Sequence, residues 1–284
     1  MLHKNSMKII HETYTWKTCD KLSLFGQCWY PEKKLLSVIL LIHGFGEHSQ
    51  RYEYWASKFV EEGHALITFD LRGHGKSEGK RGDAQSYDCW MKDIDILFSN
   101  TEILFPGIPK VLYGHSFGGN LAANYALQKN PQIKGLILSS PWLKLAFEVK
   151  GLRKKLVDIF YVIWPSLIQA SRLQTNDISG DPVTVEKYKN DPLNHDRISV
   201  RAFFYITEAG KWALKNADKL HVPLLLMHGS GDRITSYHGS IEFAEKAKAH
   251  TTLKIWDGMY HELHNETIKE EVFDFMKTWL INTI

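Results

Sequence analysis

Three cysteines in 284 residues, Cys19, Cys28 and Cys89, form neither an even set nor a C-x-x-C pair, which argues against a disulfide framework or a thiolate zinc site. No stretch approaches the roughly 18 continuous apolar residues of a membrane-spanning helix. The opening run MLHKNSMKIIHETYTW lacks the apolar centre of a secretory signal, so the expectation is a soluble protein of a reducing, cytoplasmic compartment. A net charge of only +3 offers no electrostatic footprint for nucleic acid. Fourteen histidines are many, but they are scattered rather than set at metal-ligand spacing. Internal repeats and low-complexity tracts are missing as well. What is present is an ordinary globular mixture, 44% hydrophobic and 24% charged, with enough apolar residues for a sizeable core.

Short apolar, β-branched runs alternate with helical stretches. Lys8–Trp16 and Leu22–Tyr30 read as strands, and Leu36–Ile42 (LSVILLI) as a central strand buried on both faces. A helix over Arg51–Glu62 and a strand at Ala65–Phe69 follow, then a glycine-punctuated loop at Asp70–Ser77 and a long helix from Ala84 to Phe105. Further strands are expected at Lys110–Gly114, Ile133–Leu138, Leu224–Met227 and Thr252–Trp256. Helices are expected at Leu121–Gln128, Ser236–Ala249 and Glu266–Leu280. This alternation predicts an α/β fold with a mostly parallel sheet covered by helices on both faces, and ligands binding beyond the carboxyl ends of its strands. Between Ser139 and Val222 the rhythm breaks: helices are expected there, but no strand. The expected division is therefore a core over 1–140 and 222–284, interrupted by a helical cap over 141–221.

The chain is organised around KVLYGHSFGGNLAAN, Lys110 to Asn124. A serine between two glycines at the joint of a strand and a helix is the nucleophile-elbow pattern. The turn is so sharp that side chains two positions either side would strike strand or helix, and the reward is a hydroxyl, Ser116, held out above the sheet. A serine hydroxyl needs a base to take its proton, and the base needs a carboxylate to hold its tautomer. In sheets of this type the order is serine, acid, histidine, each after a later strand. Asp232 follows Leu224–Met227 in HGSGDR, and two histidines, His261 and His264, follow Trp256. His261 sits at the loop tip and fits the base; His264 fits a supporting hydrogen-bonding residue. An oxyanion needs two donors. These are the backbone N–H of Phe117, just after the serine, and an N–H of the His43–Gly46 turn, Phe45. His115 is placed to line the pocket, His74 to brace its loop, and Asp70 and Asp191 to serve in turns or caps.

Together these residues resemble the α/β-hydrolase superfamily, in its monoglyceride lipase and lysophospholipase branch. The matching runs are HGFGEHSQRY (His43 to Tyr52), FDLRGHGKSEGKRG (Phe69 to Gly82), GHSFGG (Gly114 to Gly119), HGSGDRIT (His228 to Thr235) and GMYHELHNE (Gly258 to Glu266). DISGDPVTVEKYKNDPL (Asp177 to Leu193) looks like the same branch. The resemblance implies a Ser116–Asp232–His261 triad, an oxyanion hole at Phe45 and Phe117, and a polar network of Glu47, Arg51 and His264 near the alcohol-binding end. It implies cleavage of single-chain lipid esters, monoacylglycerol first, with no metal or organic cofactor.

Three alternatives stand beside that reading. A carboxylesterase or lysophospholipase of broader specificity would use the same machinery. An aminopeptidase would need acidic cap residues such as Glu148, Asp177 or Asp181 to hold an amine. A silent scaffold usually lacks a triad member, and none is missing here. The apolar, basic stretch Pro141–Ile168 suits an acyl-chain cover and a peripheral membrane surface, or simple packing of the cap on the core.

Overall fold

The computed structural model describes residues 8–147, 151–171, 173–247 and 250–284. In chain order the main elements are β1 (Ile9–Lys17), β2 (Ser23–Pro31), β3 (Ser37–Ile42), α1 (Glu53–Glu61), β4 (His64–Phe69), α2 (Tyr87–Leu104), β5 (Lys110–His115), α3 (Phe117–Lys129) and β6 (Gly135–Ser139). There follow α4 (Gly151–Ile163), β7 (Ile168–Ala170), α5 (Pro182–Asn190), β8 (Arg197–Ser199), α6 (Val200–Asn216), β9 (Leu224–Gly229), α7 (Tyr237–Ala247), β10 (Thr251–Trp256) and α8 (Lys269–Thr283).

Eight strands form one sheet in the order β1-β2-β4-β3-β5-β6-β9-β10. The first two pairings, β1 with β2 and β2 with β4, are antiparallel, and the rest are parallel. This is the expected α/β-hydrolase sheet. The unbroken apolar run of β3 has a direct cause. Val38, Leu40 and Ile42 face one core, which Trp90 of α2, Leu121 of α3 and Phe243 of α7 complete. Ile39 and Leu41 face a second core, closed by Trp55 and Phe59 of α1 and by Phe273 and Met276 of α8. A strand with a hydrophobic layer on each side has no polar face to alternate with.

Between β6 and β9 the chain leaves the sheet and lies over its carboxyl edge. No strand is expected there, yet β7 and β8 pair antiparallel, Ile168 opposite Ser199. Three residues each are too few to show a two-residue period, so pairing rather than patterning creates them. The expectation of a strandless interval is corrected to that extent. Several bonds lock the segment down. Ser199 Oγ and the Arg201 guanidinium donate to Asp83 at 2.7 Å, Gly180 N donates to Glu266 Oε1 at 2.9 Å, and His195 N donates to Gly46 O at 2.9 Å. These bonds also set two element ends. Asp83 serves the segment and α2 starts only at Tyr87, while Glu266 is drawn into the loop and α8 starts at Lys269. Lys248 and Ala249, expected to close the helix of Ser236–Ala249, lie outside the described residues, as do Glu148 and Lys150.

Candidate active site

Ser116 joins β5 to α3 with φ 53° and ψ −115°, a conformation that residues with a Cβ seldom adopt. The surrounding backbone holds it there: Ser116 N donates to Ser139 O, while Ser116 O accepts from Asn120 N and Trp142 N, all within 3.0 Å. The flanking glycines are steric necessities. A Cβ on Gly118 would collide with the Ile42 carbonyl, and one on Gly114 with the Gly118 carbonyl. The helix starts at Phe117 itself, earlier than the expected Leu121, so the Phe117 N–H opens α3 and has no intrahelical acceptor.

Ser116 Oγ lies 2.9 Å from His261 Nε2, and His261 Nδ1 lies 2.6 Å from Asp232 Oδ2. All three residues are less than 10% exposed. Asp232 follows β9 and His261 follows β10, so three positions distant in sequence meet at one sheet edge. Asp232 Oδ1 accepts from the backbone N–H groups of Ile234 (2.8 Å) and Thr235 (3.0 Å). Its Oδ2 also accepts from Thr235 Oγ1 at 2.9 Å and His228 Nε2 at 3.0 Å. Burial opposes ionisation of this carboxyl, but the charge on His261 and the bonds from His228 and His261 prevail and hold it far below the usual range. Burial likewise disfavours the His261 cation, yet the Asp232 carboxylate outweighs it and raises the imidazole above its ordinary value. A hydroxyl held this way can pass its proton to the ring as it attacks. His228, which in turn meets Ser240 Oγ at 2.7 Å, is a supporting residue the sequence reading passed over; its signal was the histidine opening HGSGD.

His115 lines the cavity beside Ser116. Its Nδ1 faces the Ser139 carbonyl at 3.2 Å, and a carbonyl only accepts, so Nδ1 carries the proton and Nε2 is a bare acceptor. Burial, with His264 and His261 close by, keeps this ring well below ordinary histidine basicity. Glu47 and Arg51 form an ion pair as expected. The third member, however, is Glu262 rather than His264. Arg51 Nη1 and Nη2 donate to the two oxygens of Glu262 at 2.7 and 2.6 Å. Burial works against the Glu262 carboxylate, but Arg51 wins and brings it down to about 2.

The expectation that His264 is a supporting hydrogen-bonding residue is therefore corrected: neither ring nitrogen has a hydrogen-bond partner among the described residues. The ring stacks on Tyr52 at 4.6 Å and meets His115 edge-on at 4.7 Å, one layer behind the cavity wall. Burial, the main cause, lowers it to about 4, so it packs as a neutral ring.

Between the sheet edge and the covering segment lies a cavity, partly open to solvent. Gly44, Phe45, Ser116 and His261 form its floor, and Trp142, Phe147, Leu173, Ile198 and Phe203 give it apolar walls. Phe117 contributes no side chain to it, packing instead against Trp90. His74 braces its loop as expected, with Nδ1 on Arg72 O and its ring against Phe45. Asp70 accepts from Ser49 and Lys76, and Asp191 from His48 and Leu193 N, as turn carboxylates do. Of the acidic residues weighed for an amine, Asp181 caps α5, Asp177 pairs with Arg233, and Glu148 lies outside the described residues. Neither described one lines this cavity; among the described residues its carboxylates are Glu47 and Glu262. Among the described residues, no helix is long and apolar enough to cross a membrane.

Residues 33–268 match the family described as serine aminopeptidase, S33. Over 266 residues the chain is 36% identical to an uncharacterized abhydrolase domain-containing protein of Dictyostelium discoideum, covering 93% of this chain but only 28% of that longer protein. It is 31% identical over 270 residues to a monoglyceride lipase of Homo sapiens, covering 92% of this chain and 88% of that one. The crystal structure of a monoacylglycerol lipase from Paleococcus ferrophilus aligns with a TM-score of 0.82 at 31% identity, covering 98% of this chain and 100% of that one. The chain belongs to the serine aminopeptidase S33 family of α/β-hydrolases, on its monoglyceride lipase branch, and is a carboxylic ester hydrolase.

Proposed function

We propose that the protein hydrolyses monoacylglycerol to fatty acid and glycerol through an acyl-enzyme on Ser116. The observation that carries this reading is the buried relay from Ser116 Oγ to His261 Nε2, 2.9 Å, and from His261 Nδ1 to Asp232, 2.6 Å, opening onto an apolar cavity. Ser116 Oγ attacks the ester carbonyl and its proton passes to His261 Nε2. The oxyanion is received by the N–H groups of Phe45 and Phe117. His261 then protonates the departing glycerol oxygen, leaving the acyl group on Ser116. Water enters, gives a proton to His261 and attacks the acyl carbonyl; the serine oxygen leaves with that proton, releasing the fatty acid.

Residues 141–221 act in this reading as the cap that shelters the acyl chain. Each methylene it buries contributes about 0.8 kcal/mol, about fourfold in kcat/KM. A series of nitrophenyl esters and monoacylglycerols should therefore rise in kcat/KM with acyl length until the cavity is full. Strict preference for acetate, or turnover of an aminoacyl anilide alone, would reject the lipase reading.

The end of α4 suits contact with a lipid surface: Val162, Ile163 and Trp164 are more than half exposed, an apolar cluster on the covering segment. Exchanging Val162 and Ile163 for glutamate should weaken sedimentation with anionic vesicles about tenfold or more while sparing turnover of a water-soluble ester. Equal sedimentation of the variant and the parent would place α4 off the membrane.

A further inference from the structure

Three acceptor side chains stand beside Ser116, and the Tyr188 hydroxyl, which also lines the cavity, is turned to Gly46 O at 3.4 Å. The three are Glu47, Glu262 and His115, and no lysine or arginine lines the cavity among the described residues. Arg51, which pairs with both of these carboxylates, is spent on the protein itself. Its Nη1 donates to both Glu47 and Glu262, its Nη2 to Glu262, and the Tyr188 ring covers its face at 4.7 Å. One guanidinium against two carboxylates leaves the cluster with a net negative charge.

The remaining capacity of these groups is specific. Glu47 already accepts from Gly44 N, Tyr52 Oη and Arg51, and Glu262 from Arg51 twice and from Asn265 Nδ2. A carboxylate offers about four acceptor sites, so each keeps roughly one free. The bare Nε2 of His115 adds a third. Three acceptor side chains lining one cavity match a group that brings its own protons, such as the two free hydroxyls of a glycerol ester. A phosphate brings none at neutral pH. It would lose its hydration, find no donor among these side chains and face two like charges in a buried site.

We propose that Glu262 is the specificity-determining residue of this pocket: by occupying Arg51 and presenting a second carboxylate, it admits esters of neutral, hydroxyl-bearing alcohols and rejects those whose head group carries phosphate. The inference rests on the reading of Ser116 as an ester-cleaving nucleophile and narrows it, separating monoacylglycerol from lysophospholipid. The sequence signal is a glutamate directly after the candidate base, 211 positions from the arginine it holds.

The test compares three substrates of one acyl length below their aggregation limits: lauroyl glycerol, lauroyl glycerol phosphate and nitrophenyl laurate, which has no polyol head. The full chain should favour the glycerol ester over its phosphate by about 100-fold in kcat/KM. Glu262→Gln, which keeps the shape but leaves Arg51 with Glu47 as its one carboxylate partner and the cluster without net charge, should shrink that ratio at least about tenfold, chiefly by raising turnover of the phosphate. Glu262→Asp, which keeps the charge, should hold most of it. A ratio is independent of the fraction of variant that folds, so a destabilised protein still reports. A parent ratio near one, or the same ratio in Glu262→Gln, overturns the proposal. Failure to cleave nitrophenyl laurate at all would instead remove the nucleophile reading, and this inference with it.

Discussion

Ser116→Ala should lower kcat on a nitrophenyl ester by about 10⁶-fold, the loss expected when the nucleophile of a serine relay is removed. The size follows from the site's construction. His261 Nε2 has its 2.9 Å partner in Ser116 Oγ, and among the described residues no other hydroxyl side chain on the cavity wall is bonded to that nitrogen. What survives would be catalysis by the backbone donors and by binding alone. Because Ser116 sits at φ 53°, alanine inherits the same backbone strain, and stability should change little. A residual rate within tenfold of the parent would mean that another group attacks the ester.

Asp232→Asn should cost about 10⁴-fold in kcat through a wrong tautomer. The amide oxygen must stay where Oδ1 is, because the N–H groups of Ile234 and Thr235 both donate there. That forces the NH₂ to the Oδ2 position, facing His261 Nδ1 and His228 Nε2. Both rings must then present lone pairs, so His261 carries its proton on Nε2, pointing at the serine it should deprotonate. The pH dependence gives a second readout. The base works only when neutral, and Asp232 raises its basicity above that of an ordinary histidine. In the parent, kcat/KM should therefore fall as pH drops through a value above 6.5, with a slope of one proton. Removing the carboxylate charge should move that acid limb to lower pH. An unmoved limb would mean that the titrating group is not His261.

Steric and periodic constraints explain what could be read in advance. Gly114 and Gly118 are dictated by carbonyls that touch them, so a nucleophile turn leaves its mark in the residues themselves. Asp232 and His261 were legible because each follows a strand of the parallel sheet, and parallel strands bring their carboxyl ends to one edge. Glu262 was not, since nothing local distinguishes it from a solvated loop glutamate; its meaning comes from Arg51 on the far side of the fold. His264 misled for the same reason. Its neighbours in space, Tyr52 and His115, decide that it packs rather than bonds. The strands β7 and β8 are equally products of assembly, each having only the other for a partner among the described residues.

Adduct mapping after reaction with a fluorophosphonate tests the central claim most directly, that the hydroxyl of residue 116 is activated through His261. The account predicts one adduct per chain, located by peptide mass spectrometry on Ser116, forming faster as pH rises through the His261 limb. An adduct on another residue, or none from the folded protein at neutral pH, would contradict it.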